Sequence, residues 1–222
     1  MYKKMIFVFT LLTGLLLFSN IQAQSDYTTL EKQLKTSKIL HNEKGNLPDF
    51  SLVDHNSELF NNENFKNKWT LLAFIYTHCP DVCPTVLMNM SMLKPILANK
   101  DIKPELKFVA ITFDPERDTP EVLKTYITHF DKSFLGVSGE QAQIDRLVKL
   151  FGAYYERSFL VNGKEAFVSM GKEMPDKISD YSINHTAEIY LISPDGKIFA
   201  KFPSSHNVFE IANDIGLMVE QF

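Results

Sequence analysis

The chain has 222 residues, enough for one domain of ordinary size plus a short leader. Apolar residues make up 45% and charged residues 23%, a globular balance that excludes a disordered or collagen-like chain. Asp and Glu outnumber Lys and Arg by 27 to 23, a net charge of −4, which argues against nucleic-acid binding through bulk electrostatics. The two cysteines, Cys79 and Cys83, are too few for a disulfide-stapled miniature.

Residues 1–23 have the layout of a secretory signal peptide. Lys3 and Lys4 form a positive start, residues 5–18 are almost wholly apolar, and Ile21-Gln22-Ala23 puts a small residue at the cleavage position. The apolar stretch falls short of the ~20 residues that span a bilayer, and no later one replaces it, which excludes a multi-span membrane protein. No cysteine follows it directly, which excludes lipid attachment there. A chain exported this way is periplasmic or otherwise extracytoplasmic, with membrane association through an uncleaved leader as the alternative, and meets an oxidising compartment, where a cysteine pair is bridged, kept reduced or occupied.

Residues 24–46 are polar, with a weak helical pattern around Leu30, Leu34 and Leu40, and read as a tether ahead of a domain over 47–222. Leu47 to Asp54 alternates apolar and polar residues and meets Glu58-Leu59-Phe60 across His55-Asn56-Ser57, a small hairpin in which Asn56 can take positive φ. Thr70 to Tyr76 is a continuous apolar run, the mark of a strand covered on both faces. Pro84 to Asn99 has helical spacing at Val86, Leu87, Met90, Leu93 and Leu97, with Pro95 expected to kink or interrupt it. Leu106 to Phe113 is a second buried strand. Thr119, Pro120 and Glu121 supply the cap, first residue and first-turn acid of the next helix. Phe134 to Val137 reads as a short strand and Gln141 to Gly152 as an amphipathic helix.

Residues 153–184 read as an inserted hairpin, turning at Asn162-Gly163, plus an irregular loop. A strand over Thr186–Ser193, a turn at Pro194-Asp195-Gly196, a strand over Lys197–Phe202 and a helix over Val208–Phe222 complete the chain. Parallel βαβ units followed by an antiparallel hairpin and a helix give an α/β mixed sheet of thioredoxin-like arrangement. It has an N-terminal hairpin and an insert before the last two strands.

Cys79 and Cys83 both lie between the first buried strand and its helix, at the carboxyl end of the strand, where open α/β sheets place their sites. Pro84 suits the first helical position, and Pro80 biases Cys79 away from helical dihedrals. The pair therefore sits in a tight loop at a helix N-terminus, where free amides and the dipole favour thiolates. The spacing is C-x-x-x-C, one residue longer than the dithiol oxidoreductase signature. Such a loop can form a disulfide, or hold both sulfurs on one soft metal. Two thiolates do not close a zinc site, whereas thiolates with a histidine suit copper. The candidate third ligand is His185, just before the strand Thr186–Ser193. In thioredoxin-like folds the loop before that strand faces the cysteine loop and usually carries a cis-proline, and here no proline lies between Pro175 and Pro194.

These residues resemble the Sco/SenC family of copper-binding assembly factors for cytochrome c oxidase. The resemblance is carried by Cys79-Pro80-Asp81-Val82-Cys83-Pro84, by Asp114-Pro115-Glu116-Arg117-Asp118-Thr119, and by His185 ahead of Tyr190-Leu191-Ile192-Ser193-Pro194-Asp195-Gly196. It implies a thioredoxin-like domain binding one copper ion through Cys79, Cys83 and His185. It further implies delivery of that copper to the CuA centre of oxidase subunit II, or reduction of that centre's cysteines, with another cuproprotein as the other candidate partner. Many members are tethered to a membrane by a permanent anchor, where this chain has a leader of cleavable layout. The alternative function is a periplasmic thiol–disulfide oxidoreductase acting through a redox-active disulfide of Cys79 and Cys83.

The remaining candidates are weaker. His78 adjoins Cys79 and offers an alternative ligand, although it is expected to point away. His41, His55, His129 and His206 have no partner at metal spacing and read as surface residues. Met88 and Met92 share a helix face, and Met170 and Met174 lie in the insert; thioethers bind Cu(I), but Met more often fills gaps in a core. Asp114 and Asp118 read as turn and cap residues, with Asp114 placed to orient the cysteine loop.

Overall fold

The structure, a computed structural model, describes residues 28–40, 47–100, 102, 106–176, 178–203 and 207–221. The leader, His41 and His206 lie outside these residues. None of the described helices is long and apolar enough to cross a membrane.

The main sheet is built on β4 (Trp69–Ile75), all seven of whose residues are buried. That follows from the run WTLLAFI, which offers apolar side chains to both faces. β4 pairs in parallel with β5 (Leu106–Thr112), and β5 with β6 (Leu135–Ser138). The crossovers are α1 (Val82–Ala98) and α2 (Pro120–Phe130). Beyond β6 lies the N-terminal hairpin β2 (Ser51–Asp54) and β3 (Leu59–Asn61), antiparallel to it. On the other side of β4, β10 (Glu188–Ile192) and β11 (Ile198–Pro203) add antiparallel strands, and β1 (Lys38–Ile39) closes that edge. The resulting order is β1-β11-β10-β4-β5-β6-β2-β3. This is the mixed α/β sheet expected from the sequence.

The insert is more ordered than its sequence suggests. After α3 (Gln141–Phe151), the strands β7 (Tyr155–Val161) and β8 (Lys164–Ser169) form the expected hairpin. Asn162 and Gly163 turn it with φ of 51° and 75°, the two consecutive positive values a type I′ turn requires. A third strand, β9 (Ser182–His185), pairs with the other edge of β7. Its four residues are too few to show a period among polar neighbours, and long-range pairing alone creates it.

Four local readings differ in the structure. Ser57, at φ 64°, takes the left-handed position in the β2–β3 turn instead of Asn56, because the Asp54 carboxylate accepts from the N–H groups of Asn56 and Glu58 and fixes the residues between. α1 starts at Val82, so Pro84 is its third residue; it is still in the first turn, where a missing N–H costs no intrahelical bond. The helix also runs through Pro95, which lies on an exposed side of its last turn. His55 is buried instead of exposed, because its Nδ1 accepts from the Gly136 N–H at 3.1 Å.

The segment read as a tether packs closely where it is described. Leu30, Ile39 and Leu40 are buried. The fully buried Asp214 of α4 (Val208–Glu220) accepts hydrogen bonds from Lys35, Thr36 and Ser37.

Candidate metal centre

Cys79 lies in the loop that leaves β4, and Cys83 is the second residue of α1. The loop is drawn around sulfur. The Cys83 N–H donates to Cys79 Sγ at 3.4 Å, and the Tyr76 N–H donates to Cys83 Sγ at 3.4 Å. These amides are free to do so because helix N-termini and strand ends leave N–H groups without backbone partners. Both cysteines are buried and free.

His185 comes from the opposite side, as the last residue of β9, paired with Tyr155 of β7. Its ring sits near Tyr76 and Phe113, with centroid distances of 5.7 and 5.0 Å. Its Nδ1 is 2.8 Å from the Thr186 carbonyl oxygen. A carbonyl only accepts, so Nδ1 carries the proton and Nε2 presents a lone pair, the tautomer a metal ligand needs. Nε2 lies 3.3 Å from Cys83 Sγ and 3.9 Å from Cys79 Sγ, and all three donor atoms fall within 4.8 Å of one another.

The thiols share their charge unequally. A hydrogen bond from the Cys83 thiol, helped by the N–H groups of Cys83 and Asp81, holds Cys79 well below the usual thiol range. Its partnership with Cys79 and its burial push Cys83 up. Burial chiefly, with the two sulfurs nearby, raises the Tyr76 phenol to about 12. The site therefore holds one thiolate, one thiol proton and one imidazole lone pair around a common point. A soft cation replaces that thiol proton, since sulfur ligates as thiolate. Two sulfurs and one nitrogen suit copper and leave a zinc tetrahedron one ligand short.

Comparison with known proteins agrees with this geometry. The family model described as SCO1/SenC matches residues 41–220. The chain belongs to the SCO1/SenC family. A SCO2-like protein from Rickettsia felis is 38% identical over 154 residues, which is 69% of this chain and 67% of that protein. The mouse protein SCO1 homolog, mitochondrial, is 33% identical over 166 residues, 75% of this chain but 53% of its own length. Among solved structures, Bradyrhizobium japonicum ScoI with copper bound superposes with a TM-score of 0.61 at 31% identity, covering 79% of this chain and 98% of that one. The matched part of the chain spans about two thirds of the Rickettsia felis protein and about half of the mouse protein.

The structure brings Cys79, Cys83 and His185 together and, among the described residues, leaves the other sulfur and nitrogen candidates out. His78 is exposed, its Nδ1 3.2 Å from its neighbour's hydroxyl on Thr77. Met88 and Met92 are exposed on α1, and Met170 and Met174 pack partly buried against the core. His129 is exposed.

Sequence reasoning missed the supports. The Thr186 carbonyl and the rings of Tyr76 and Phe113 orient the imidazole, yet each belongs to a strand or a strand end and carries no motif. Tyr181, whose hydroxyl donates to Asp114 at 2.6 Å, was equally unmarked.

Proposed function

We propose that this chain is a copper carrier that holds one ion on Cys79, Cys83 and His185 and passes it to the CuA centre of cytochrome c oxidase subunit II or to another cuproprotein. One observation carries the reading: an imidazole with its lone pair free lies 3.3 and 3.9 Å from the two sulfurs of a single loop. The copper-bound relative of the same fold supports it. In this reading residues 1–23 are a cleaved leader, 47–222 form the copper-binding domain, and the protein works outside the cytoplasm.

Anaerobic titration of the reduced protein tests the assignment, with Cys79→Ser, Cys83→Ser and His185→Ala alongside wild type. Wild type takes up one copper per chain with a sulfur-to-copper charge-transfer band, and each variant loses affinity or the band. If His185→Ala keeps both the wild-type Cu(II) spectrum and the affinity, the ligand assignment fails.

A second reading is favoured by the asymmetry of the two thiols. A Cys79 thiolate beside a fully buried Cys83 thiol is the arrangement of a dithiol reductant. Cys79 attacks a target disulfide and releases one target thiolate. Cys83 then resolves the mixed disulfide, so the target gains two thiols and Cys79–Cys83 becomes the disulfide. This activity survives His185→Ala, whereas copper carriage does not.

A further inference from the structure

The two halves of the metal centre come from remote parts of the chain, yet one short segment between β5 and α2 is bonded to both. On the cysteine side, the fully buried Asp118 carboxylate accepts twice from Thr77, from its N–H at 3.0 Å and its hydroxyl at 2.5 Å. It accepts again from the Thr112 hydroxyl at 2.5 Å. Thr77 stands two residues before Cys79, so this clamp fixes where the loop begins.

On the histidine side, the fully buried Asp114 accepts from the Tyr181 hydroxyl at 2.6 Å and from Arg117. Arg117 also donates to the Tyr181 carbonyl at 2.9 Å, and its guanidinium carbon lies 3.6 Å over the Tyr181 ring. Tyr181 immediately precedes β9, the strand that ends in His185. The segment closes on itself through the Asp118 N–H, which donates to the Asp114 carbonyl at 2.9 Å.

Buried ionic groups add little net stability over apolar packing, but they hold their partners in one geometry. A site that must put three donors on one ion tolerates errors of only about 0.5 Å. The geometry points to Asp114–Asp118 as a strut between the two halves of the metal centre, in which Asp118, acting through Thr77, and Asp114, acting through Tyr181, are positioning residues that set the separation of the sulfurs from the imidazole. This inference rests on the copper-carrier reading above and adds to it the groups that make the three donors converge.

The chemistry of Asn sets a discriminating test. In Asp118→Asn one oxygen still accepts from the Thr77 N–H and the Thr112 hydroxyl, while the new amide donates to the Thr77 hydroxyl oxygen. The network survives without its charge. Asp118→Ala removes all three bonds, and Tyr181→Phe removes only the bond to Asp114. Two readouts are taken on the full chain, with circular dichroism to show that each variant is folded. The first is copper-free: the alkylation rate of Cys79 by iodoacetamide for Asp118→Ala, and the nuclear Overhauser contact between the His185 and Phe113 rings for Tyr181→Phe. The second is the copper electron paramagnetic resonance spectrum and the rate of release to a chelator.

Asp118→Ala and Tyr181→Phe are expected to release copper about 10- to 100-fold faster, the usual cost of losing a group that orients a ligand. Their hyperfine splitting shifts and their copper-free readouts change. Asp118→Asn stays within about twofold of wild type. Should Asp118→Ala not fold, Thr77→Val removes the hydroxyl arm alone and takes its place. Folded variants matching wild type in spectrum, release and copper-free readouts overturn the strut. If wild type itself takes up no copper, the carrier reading is the one that falls, and the copper-free readouts still decide the strut.

Discussion

Replacing Asp214 with Ala should release residues 28–40 from the domain. This carboxylate is fully buried in α4, and its two oxygens carry very different loads. Oδ2 accepts from the N–H groups of Lys35, Thr36 and Ser37 at 3.1, 2.9 and 3.1 Å, and from the hydroxyls of Thr36 and Ser37 at 3.0 and 2.9 Å. Oδ1 shares only the Lys35 N–H, at 3.1 Å. Alanine leaves three backbone donors without an acceptor. Each costs about 1–3 kcal/mol if it stays dry. Water reaches this partly exposed segment, so the low end applies and the total is about 3 kcal/mol. Asparagine keeps a carbonyl oxygen at the crowded position and puts its amide where little is asked of it. It costs about 1 kcal/mol, chiefly the loss of charge-assisted bonding.

Urea unfolding of the reduced, copper-free protein reads the global effect. The single tryptophan, Trp69, is fully buried with its ring edge-on to Phe199 at 5.6 Å, and is a convenient probe. Amide exchange reads the local effect at Leu40, whose N–H donates to the Phe199 carbonyl at 2.8 Å beside the β1–β11 pair. A loss of about 3 kcal/mol speeds that exchange about 100-fold, at 1.4 kcal/mol per factor of ten. An alanine variant within about 0.5 kcal/mol of wild type, with unchanged exchange at Leu40, refutes the reasoning and returns this segment to the status of a tether.

Burial holds the His55 imidazole below its ordinary pKa. The unfolded chain therefore binds more protons than the folded one between that lowered value and about 6.5, so stability is complete above about pH 6.5 and declines as pH falls below it. His55→Asn keeps an acceptor for the Gly136 N–H and should flatten this part of the profile in urea midpoints measured at pH 5 and pH 7.5. His78→Ala and the Met88→Leu/Met92→Leu pair should each leave copper stoichiometry and spectrum unchanged, as metal analysis and absorbance would show; a fall in stoichiometry would enlarge the ligand set. Gly152, at φ 73° after α3, should lose about 1 kcal/mol of thermal stability on change to Ala.

The parts legible in the sequence are those whose information is local. The all-apolar β4, the Thr119-Pro120 start of α2 and the Asn162-Gly163 turn each declare themselves within a few residues. The three donors were legible because their chemistry is unusual: two cysteines at a strand end, and a histidine just ahead of a later strand. β9 was not legible, since its residues Ser182–His185 become a strand only by pairing with β7. As a result His185 was expected in a loop, whereas it closes a strand held by a second sheet. The packing of 28–40 was hidden for the same reason, because its acceptor lies about 180 residues away in α4. His55 looked like a surface residue because nothing near it in the chain reports the Gly136 amide.

The same two sulfurs serve both proposed activities, and the depths of the three donors suggest how one molecule divides them. Cys83 is wholly buried, Cys79 nearly so, and His185 is only half-buried. A disulfide between Cys79 and Cys83 takes away two of the three donors at once, so an oxidised molecule has no claim on copper and a loaded one has no free thiolate for exchange. In the proposed carrier, release to a partner would proceed most easily from the outer donor inward, because a ligand arriving from solvent meets the imidazole edge of the site before it meets Cys83. In that carrier His185, the outermost donor, sets how readily copper leaves, and all three donors are needed to hold it. The remote histidine is then what separates a metal carrier from a dithiol protein built on the same loop.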